Sequence, residues 1–301
     1  MKTIFYYIVC LFAMLILHGC VPSPMYEPIR MASEGTVGIT FDWQHTTPGA
    51  VLPKELELHF YPEDGGADFT RAASAAGFEG ELPAGNYRVL AIQSTEPGMF
   101  IAESNSYTSA CVNLQPLNAT NSTTENELPS ASWYFGASAE QLVVKPGETT
   151  VRTLPVIQHV IPISIRIKGT GLEYIHSLSG EIAGVASCVD LASGMNHSSL
   201  PGDCCYNCFS FTTGHEVSFL LLGTVPEVGQ SLSLSIVYTD GSSQKLTYNM
   251  SDALKDANSQ KSQPITLECT LSIHQQAGGF DAGIVKWEII DMGEIEPTRN
   301  H

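Results

Sequence analysis

Positive charge is scarce in this 301-residue chain, where 14 Lys and Arg stand against 31 Asp and Glu for a formal net charge of −17. Nucleic-acid binding needs clustered Lys and Arg set against phosphates, so this balance argues against a nucleic-acid partner. Charge of either sign is sparse, at 15% of residues, well below the usual quarter. The polar surface must therefore be built from Ser, Thr, Asn and Gln, which suits an exported all-β protein better than a helical cytosolic enzyme. No segment carries the long 3.6-residue periodicity of an amphipathic helix. Disorder is argued against by the 43% of hydrophobic residues, which suffice for real cores.

Catalytic motifs are also missing. There is no G-x-S-x-G elbow, no Walker A loop and no H-E-x-x-H. Gly169-Thr170-Gly171 lacks the third glycine of a dinucleotide site. His215 and Glu216 are adjacent, so a strand would aim them at opposite faces. The carboxylates are scattered and pick out no pair for sugar hydrolysis. The expectation is a non-enzymatic protein with no cofactor and no metal.

No apolar run reaches the roughly 20 residues of a spanning helix. The one at the N-terminus, residues 4–17 behind Lys2, has the length of a signal-peptide core. It ends at Leu17-His18-Gly19-Cys20, which resembles a bacterial lipobox, with His18 in place of the usual small or apolar residue. Residues 1–19 are thus expected to be a signal peptide and Cys20 the acylated residue. Residues 20–35, with Pro22, Pro24 and Pro28, read as an extended tether on a lipid anchor.

Beyond the tether the dominant period is two. Val37, Ile39, Phe41 and Trp43 alternate with polar positions, as do Leu56, Leu58 and Phe60, and then Ile161, Ile163, Ile165 and Ile167. Pro162 suggests an edge or a bulge at its strand. Pro146-Gly147 and Asp240-Gly241 read as hairpin turns, residues 115–132 as an exposed polar loop, and residues 251–255 as one helical turn. The pattern restarts near residue 155. The expected fold is all-β, with β-sandwiches at residues 36–155 and 156–301.

Six cysteines lie beyond Cys10 and Cys20: Cys111, Cys188, Cys204, Cys205, Cys208 and Cys269. With His197 and His215 nearby, a zinc cluster is one reading, but the second ligand pair of a zinc knuckle is missing. Disulfides or free thiols in an exported protein are favoured, with Cys188, Cys204, Cys205, Cys208 and Cys269 as the candidates and their connectivity open. Trp43 is in phase with the core stripe, so it reads as a core residue rather than a sugar platform. Trp133-Tyr134-Phe135 likewise returns the chain to a packed environment.

Beside the lipobox and tether stand Val37-Gly38-Ile39-Thr40-Phe41-Asp42-Trp43 and Leu82-Pro83-Ala84-Gly85-Asn86-Tyr87-Arg88-Val89-Leu90. The chain closes on Gly278-Gly279-Phe280 and Val285-x-Trp287. This pattern resembles the FimB-like, fimbrillin-associated lipoproteins of anaerobic Gram-negative bacteria. The resemblance implies two transthyretin-like β-sandwiches and a lipid-anchored place at the outer membrane, exposed at the surface. It also implies fimbrial subunits as partners, with an anchor or accessory role. The cysteine cluster at 204–208 lies outside the pattern. A neighbouring subunit is expected to dock by strand addition, with the first sandwich's sheet edge as the better candidate. The alternative is a lipid-anchored glycan-binding protein of a nutrient-uptake system, which would need a solvent-facing aromatic platform.

Overall fold

The computed structural model describes residues 33–117, 127–199, 205–211 and 215–290, so the expected signal peptide at 1–19, Cys20 and Cys204 lie outside the described residues. Among these residues no helix is long and apolar enough to cross a membrane. The chain is all-β. The first strands are β1 (Glu34–Asp42), β2 (Glu55–Pro62), β3 (Phe69–Ser74), β4 (Gly77–Pro83) and β5 (Gly85–Ile92). After β6 (Met99–Ala102), β7 (Cys111–Leu114) and β8 (Glu127–Leu128) come β9 (Phe135–Val144) and β10 (Thr149–Gln158). The chain continues through β11 (Ile161–Thr170), β12 (Ile175–Val185), β13 (Cys188–Asp190), β14 (Asn196–His197), β15 (Cys205–Ser210) and β16 (Glu216–Leu221). It closes with β17 (Ser231–Tyr238), β18 (Ser243–Asn249), the helical turn α1 (Ser251–Leu254), β19 (Ile265–Gln276) and β20 (Gly279–Ile290).

Seven strands close into a barrel in the order β1-β10-β9-β5-β2-β3-β4. Alternation drives it: Val37, Ile39 and Phe41 of β1 point inward with Leu56, Leu58 and Phe60 of β2 and Tyr87 and Val89 of β5. Trp43 packs on the same core, its ring 5.7 Å from Phe135, and its indole N–H donates to Ala75 O. Trp133 stacks on Phe135. Pro146-Gly147 does turn the chain between β9 and β10, but only Val156, Ile157 and Gln158 of β10 pair with β9. The stretch from Thr149 to Pro155 splays away to pair in parallel with β1, so the expected hairpin is a corner between sheet neighbours.

The rest packs as two sheets on a common core, β16-β11-β19-β20 and β18-β17-β12-β15-β8, with a small sheet β14-β13-β7-β6 beside them. Ile163, Ile165 and Ile167 face Leu178, Ile182, Leu232 and Leu234 across it. Three strands that precede residue 155 take part. β7 pairs with β13, β8 pairs in parallel with β15, and Val112, Leu114, Leu128 and Tyr134 are buried in this core.

Two local expectations are corrected. β11 is an interior strand, held by β16 on one side and β19 on the other. At Pro162 only β16 is paired, because the ladder with β19 begins at Ile163, so the missing N–H falls where one side is still open. The end of the supposed loop at 115–132 is not exposed: Leu128 and Ala131 are buried, the first as part of β8.

At the junction of barrel and sandwich, buried Gln158 accepts a hydrogen bond from Thr47 N and donates to Thr47 Oγ1, Val160 O and Lys261 O. One side chain thus ties the barrel's β1–β2 loop to the sandwich's 261 region.

Candidate docking site

A strand-addition site needs an open edge. The barrel is only partly paired on both sides: β3 and β4 meet at Ser74 and Gly77 alone, and residues 149–155 of β10 pair with β1 but not with β9. The sandwich offers further open edges. β20 ends one sheet and β18 ends the other, and they lie side by side.

The sequence of β20 carries the alternation Val285, Trp287, Ile289, and the structure divides it. Lys286 pairs with Thr270 and Ile284 with Leu271, so Val285 is the extra residue of a β-bulge and is 66% exposed. Beyond the bulge Trp287 and Ile289 stand opposite buried Cys269 and Leu267, on the core face. Ile289 is nonetheless 51% exposed, because β18 presents only Tyr248 against this stretch, 5.7 Å from the Trp287 ring. A cavity of about 160 Å³ opens there, lined by Tyr248, Met250, Ala253, Leu267, Trp287 and Ile289. The Trp287 indole N–H is buried there without an acceptor.

The start of the edge is covered. The Gln244 amide copies a neighbouring strand: it donates to Ala282 O at 2.9 Å and accepts from Ala282 N at 2.7 Å. Sequence reasoning misses Gln244, since nothing in the spacing marks a side chain that mimics backbone. From Gly283 onward β20 has no strand partner on its outer side among the described residues. On the outer face Lys286 pairs with Glu288 and Lys168 with Glu268, leaving that face polar while the inner face is apolar.

The five described cysteines are free thiols. Cys205 and Cys208 lie three apart on β15, so Cys205 is buried and Cys208 exposed on the opposite face. Burial, then Glu127 and Glu181, pushes the Cys208 thiol up to about 11, and burial pushes Cys269 up to about 12. Cys188 sits on β13, next to Cys111. Cys20 and Cys204 lie outside the described residues. Among the described residues no three His, Cys, Asp or Glu side chains are grouped to hold a metal ion.

A barrel followed by an open-edged sandwich defines a protein of all-β class. Residues 29–201 match the family described as a domain of unknown function, DUF5119, and the chain belongs to that family. Over 191 residues it is 24% identical to a Bacteroides ovatus protein named as a fimbrium anchoring subunit, Fim4B. That match covers 62% of this chain and 56% of the relative, so the chain spans little more than half the relative's length. Its fold is similar to that of a Bacteroides ovatus protein described as an adhesin (TM-score 0.58, 20% identity, 78% of this chain and 88% of that one). The same fold occurs in the fimbrial anchor protein Mfa2 from Porphyromonas gingivalis (TM-score 0.56, 11% identity, 85% and 97%). A Bacteroides thetaiotaomicron protein described as polysaccharide binding shares it too (TM-score 0.53, 12% identity, 86% and 99%).

Proposed function

We propose that this protein is a non-enzymatic anchor or accessory subunit of a fimbria, held at the outer membrane by acyl chains on Cys20. In this reading it binds its neighbour by strand addition at β20. The observation that carries the docking step is the unpaired outer side of β20 from Gly283 to Ile290, next to exposed Ile289 and the cavity under Trp287. An added strand draws affinity from backbone hydrogen bonds and specificity from pockets for alternate side chains. This stretch offers both. The kinship with a named fimbrium anchoring subunit supports the same role. A sugar-binding role finds less support, because Trp43 and Trp133 are packed against the barrel core rather than turned to solvent.

Deleting the gene tests the reading. Fimbriae should be absent, shed or altered in length, while growth on individual polysaccharides stays normal. Cys20→Ser should move the protein out of the membrane fraction and abolish fatty-acid labelling. Normal fibres with a glycan-specific growth defect would instead establish the sugar-binding role.

A further inference from the structure

Cys111 and Cys188 are 77 positions apart in the chain and share one face of a small sheet. In the β7–β13 ladder Cys188 stands opposite Asn113 and Asp190 opposite Cys111, so the two cysteines are diagonal neighbours. Their side chains are close enough for each thiol to feel the other electrostatically. Cys188 is fully buried and Cys111 partly exposed. Between them Asn113, itself buried, donates its amide to Cys111 Sγ at 3.2 Å and accepts from Ser199 Oγ at 3.0 Å. Cys111 is therefore the thiol that solvent reaches, while burial pushes the Cys188 thiol up.

We propose that Cys111 and Cys188 form a dithiol–disulfide couple whose oxidation staples β7 to β13. Diagonal neighbours lie about 7–8 Å apart, beyond the roughly 4.4–6.8 Å between Cα atoms that a disulfide spans, so closure draws the two strands together along the diagonal that sheet twist shortens. The electrostatic interaction of the two thiols marks this diagonal as the short one. β7 and β13 are four and three residues long, so the remaining approach is confined to a short ladder. The oxidant is an external disulfide. The Cys111 thiolate attacks one of its sulfurs, forming a mixed disulfide and releasing one thiolate. Cys188 then loses its proton to water and attacks Cys111 Sγ, releasing the second thiolate. One sulfur–sulfur bond forms for the one broken, two electrons pass to the external disulfide, and the two protons end on the released thiols. The product fastens a hairpin from early in the chain to the later sandwich, closing a covalent loop of roughly 80 residues.

The test uses the purified full-length chain in buffers of varied reduced-to-oxidised glutathione ratio, and needs neither a membrane nor a fibre. Remaining thiols are alkylated after unfolding. Chymotryptic cleavage after Leu191 or Leu200 separates Cys188 from Cys204, Cys205 and Cys208 for mass spectrometry. The expected result is a Cys111–Cys188 linked peptide that accumulates as the ratio falls, with Cys269 still alkylated. Cys188→Ser should stop at a glutathione adduct on Cys111. The linked form should melt several degrees above the reduced one. Absence of the linked peptide at the most oxidising ratio would overturn the proposal. So would two thiols that stay unreactive until a chelator is added, which would indicate a metal site. A linked form that melts no higher than the reduced one would overturn the stapling role.

Discussion

His159 sits at the junction of barrel and sandwich, one residue past Gln158, and its chemistry sets a pH dependence. Its ring is fully buried, 5.9 Å from the Tyr134 ring, and neither ring nitrogen has a hydrogen-bond partner. A charged imidazole there has no acceptor for its protons, so the residue is held neutral. Burial first, and the Lys261 ammonium second, push its pKa from 6.5 down to about 3. Lys261 itself is pushed down to about 8 by burial, and it donates to Asn196 Oδ1 at 2.6 Å. Proton counts give the sign. Between pH 6.5 and 3 the unfolded chain binds a proton at His159 that the folded chain refuses, so stability is full above 6.5 and is lost as pH falls below it. The slope approaches about 1.4 kcal/mol per pH unit at its steepest. Melting curves between pH 7 and 5, above the range of ordinary carboxylates, should show the midpoint falling with pH. His159→Phe keeps an aromatic ring and removes the titration, so it should flatten that slope. An unchanged slope in the variant would assign the effect to another group.

Strands differ in how plainly the sequence announces them. β1, β2, β11 and β17 place large apolar residues at every second position, and their alternation alone is enough. β12 is as long as any of these and central to its sheet, yet its sequence IHSLSGEIAGV carries no such signal. The reason is Gly180, an inward position without a side chain. A Cβ there would lie 2.3 Å from Phe209 Cε2, so the ring of a neighbouring strand fills the place that an apolar residue of β12 would take. The information sits in Phe209, far along the chain, and no local pattern contains it. The docking edge is half legible for a similar reason. The alternation of Trp287 and Ile289 is in the sequence, whereas the bulge that turns Val285 outward depends on register with β19. Gly180→Ala should therefore destabilise by about 1–3 kcal/mol through overpacking. Phe209→Leu introduced alongside should recover part of that loss, since residues in contact couple. Denaturant titrations of the two single variants and the double variant measure the coupling, and strict additivity would contradict the contact.

At the scale of the whole molecule, chain order and packing divide the protein differently. Alternation restarts after Pro155, which makes residue 155 the natural join along the sequence. The packing gives the later sandwich three strands from before that point. Val112 of β7 pairs with Val189 of β13, and Leu128 of β8 lies beside Asn207 of β15, whose amide donates to Leu128 O at 3.0 Å. Met99, Tyr107, Val112, Leu114, Leu128 and Tyr134 are all buried in the sandwich core. Between β5 and β9 the chain thus leaves the barrel, completes the sandwich and returns. Such long-range pairing has no periodic signature. It has a clear energetic consequence for a fragment of residues 156–301. Each large buried side chain contributes about 1.5–3 kcal/mol, so losing six of them removes an amount comparable with the whole stability of an ordinary domain, about 5–15 kcal/mol. The fragment would also leave the Asn207 amide without its buried acceptor. It should give no sharp thermal transition and little near-UV circular dichroism, whereas residues 33–301 should melt cooperatively. A cooperative melt of the fragment close to the midpoint of the longer chain would show that β6, β7 and β8 decorate the sandwich rather than complete it.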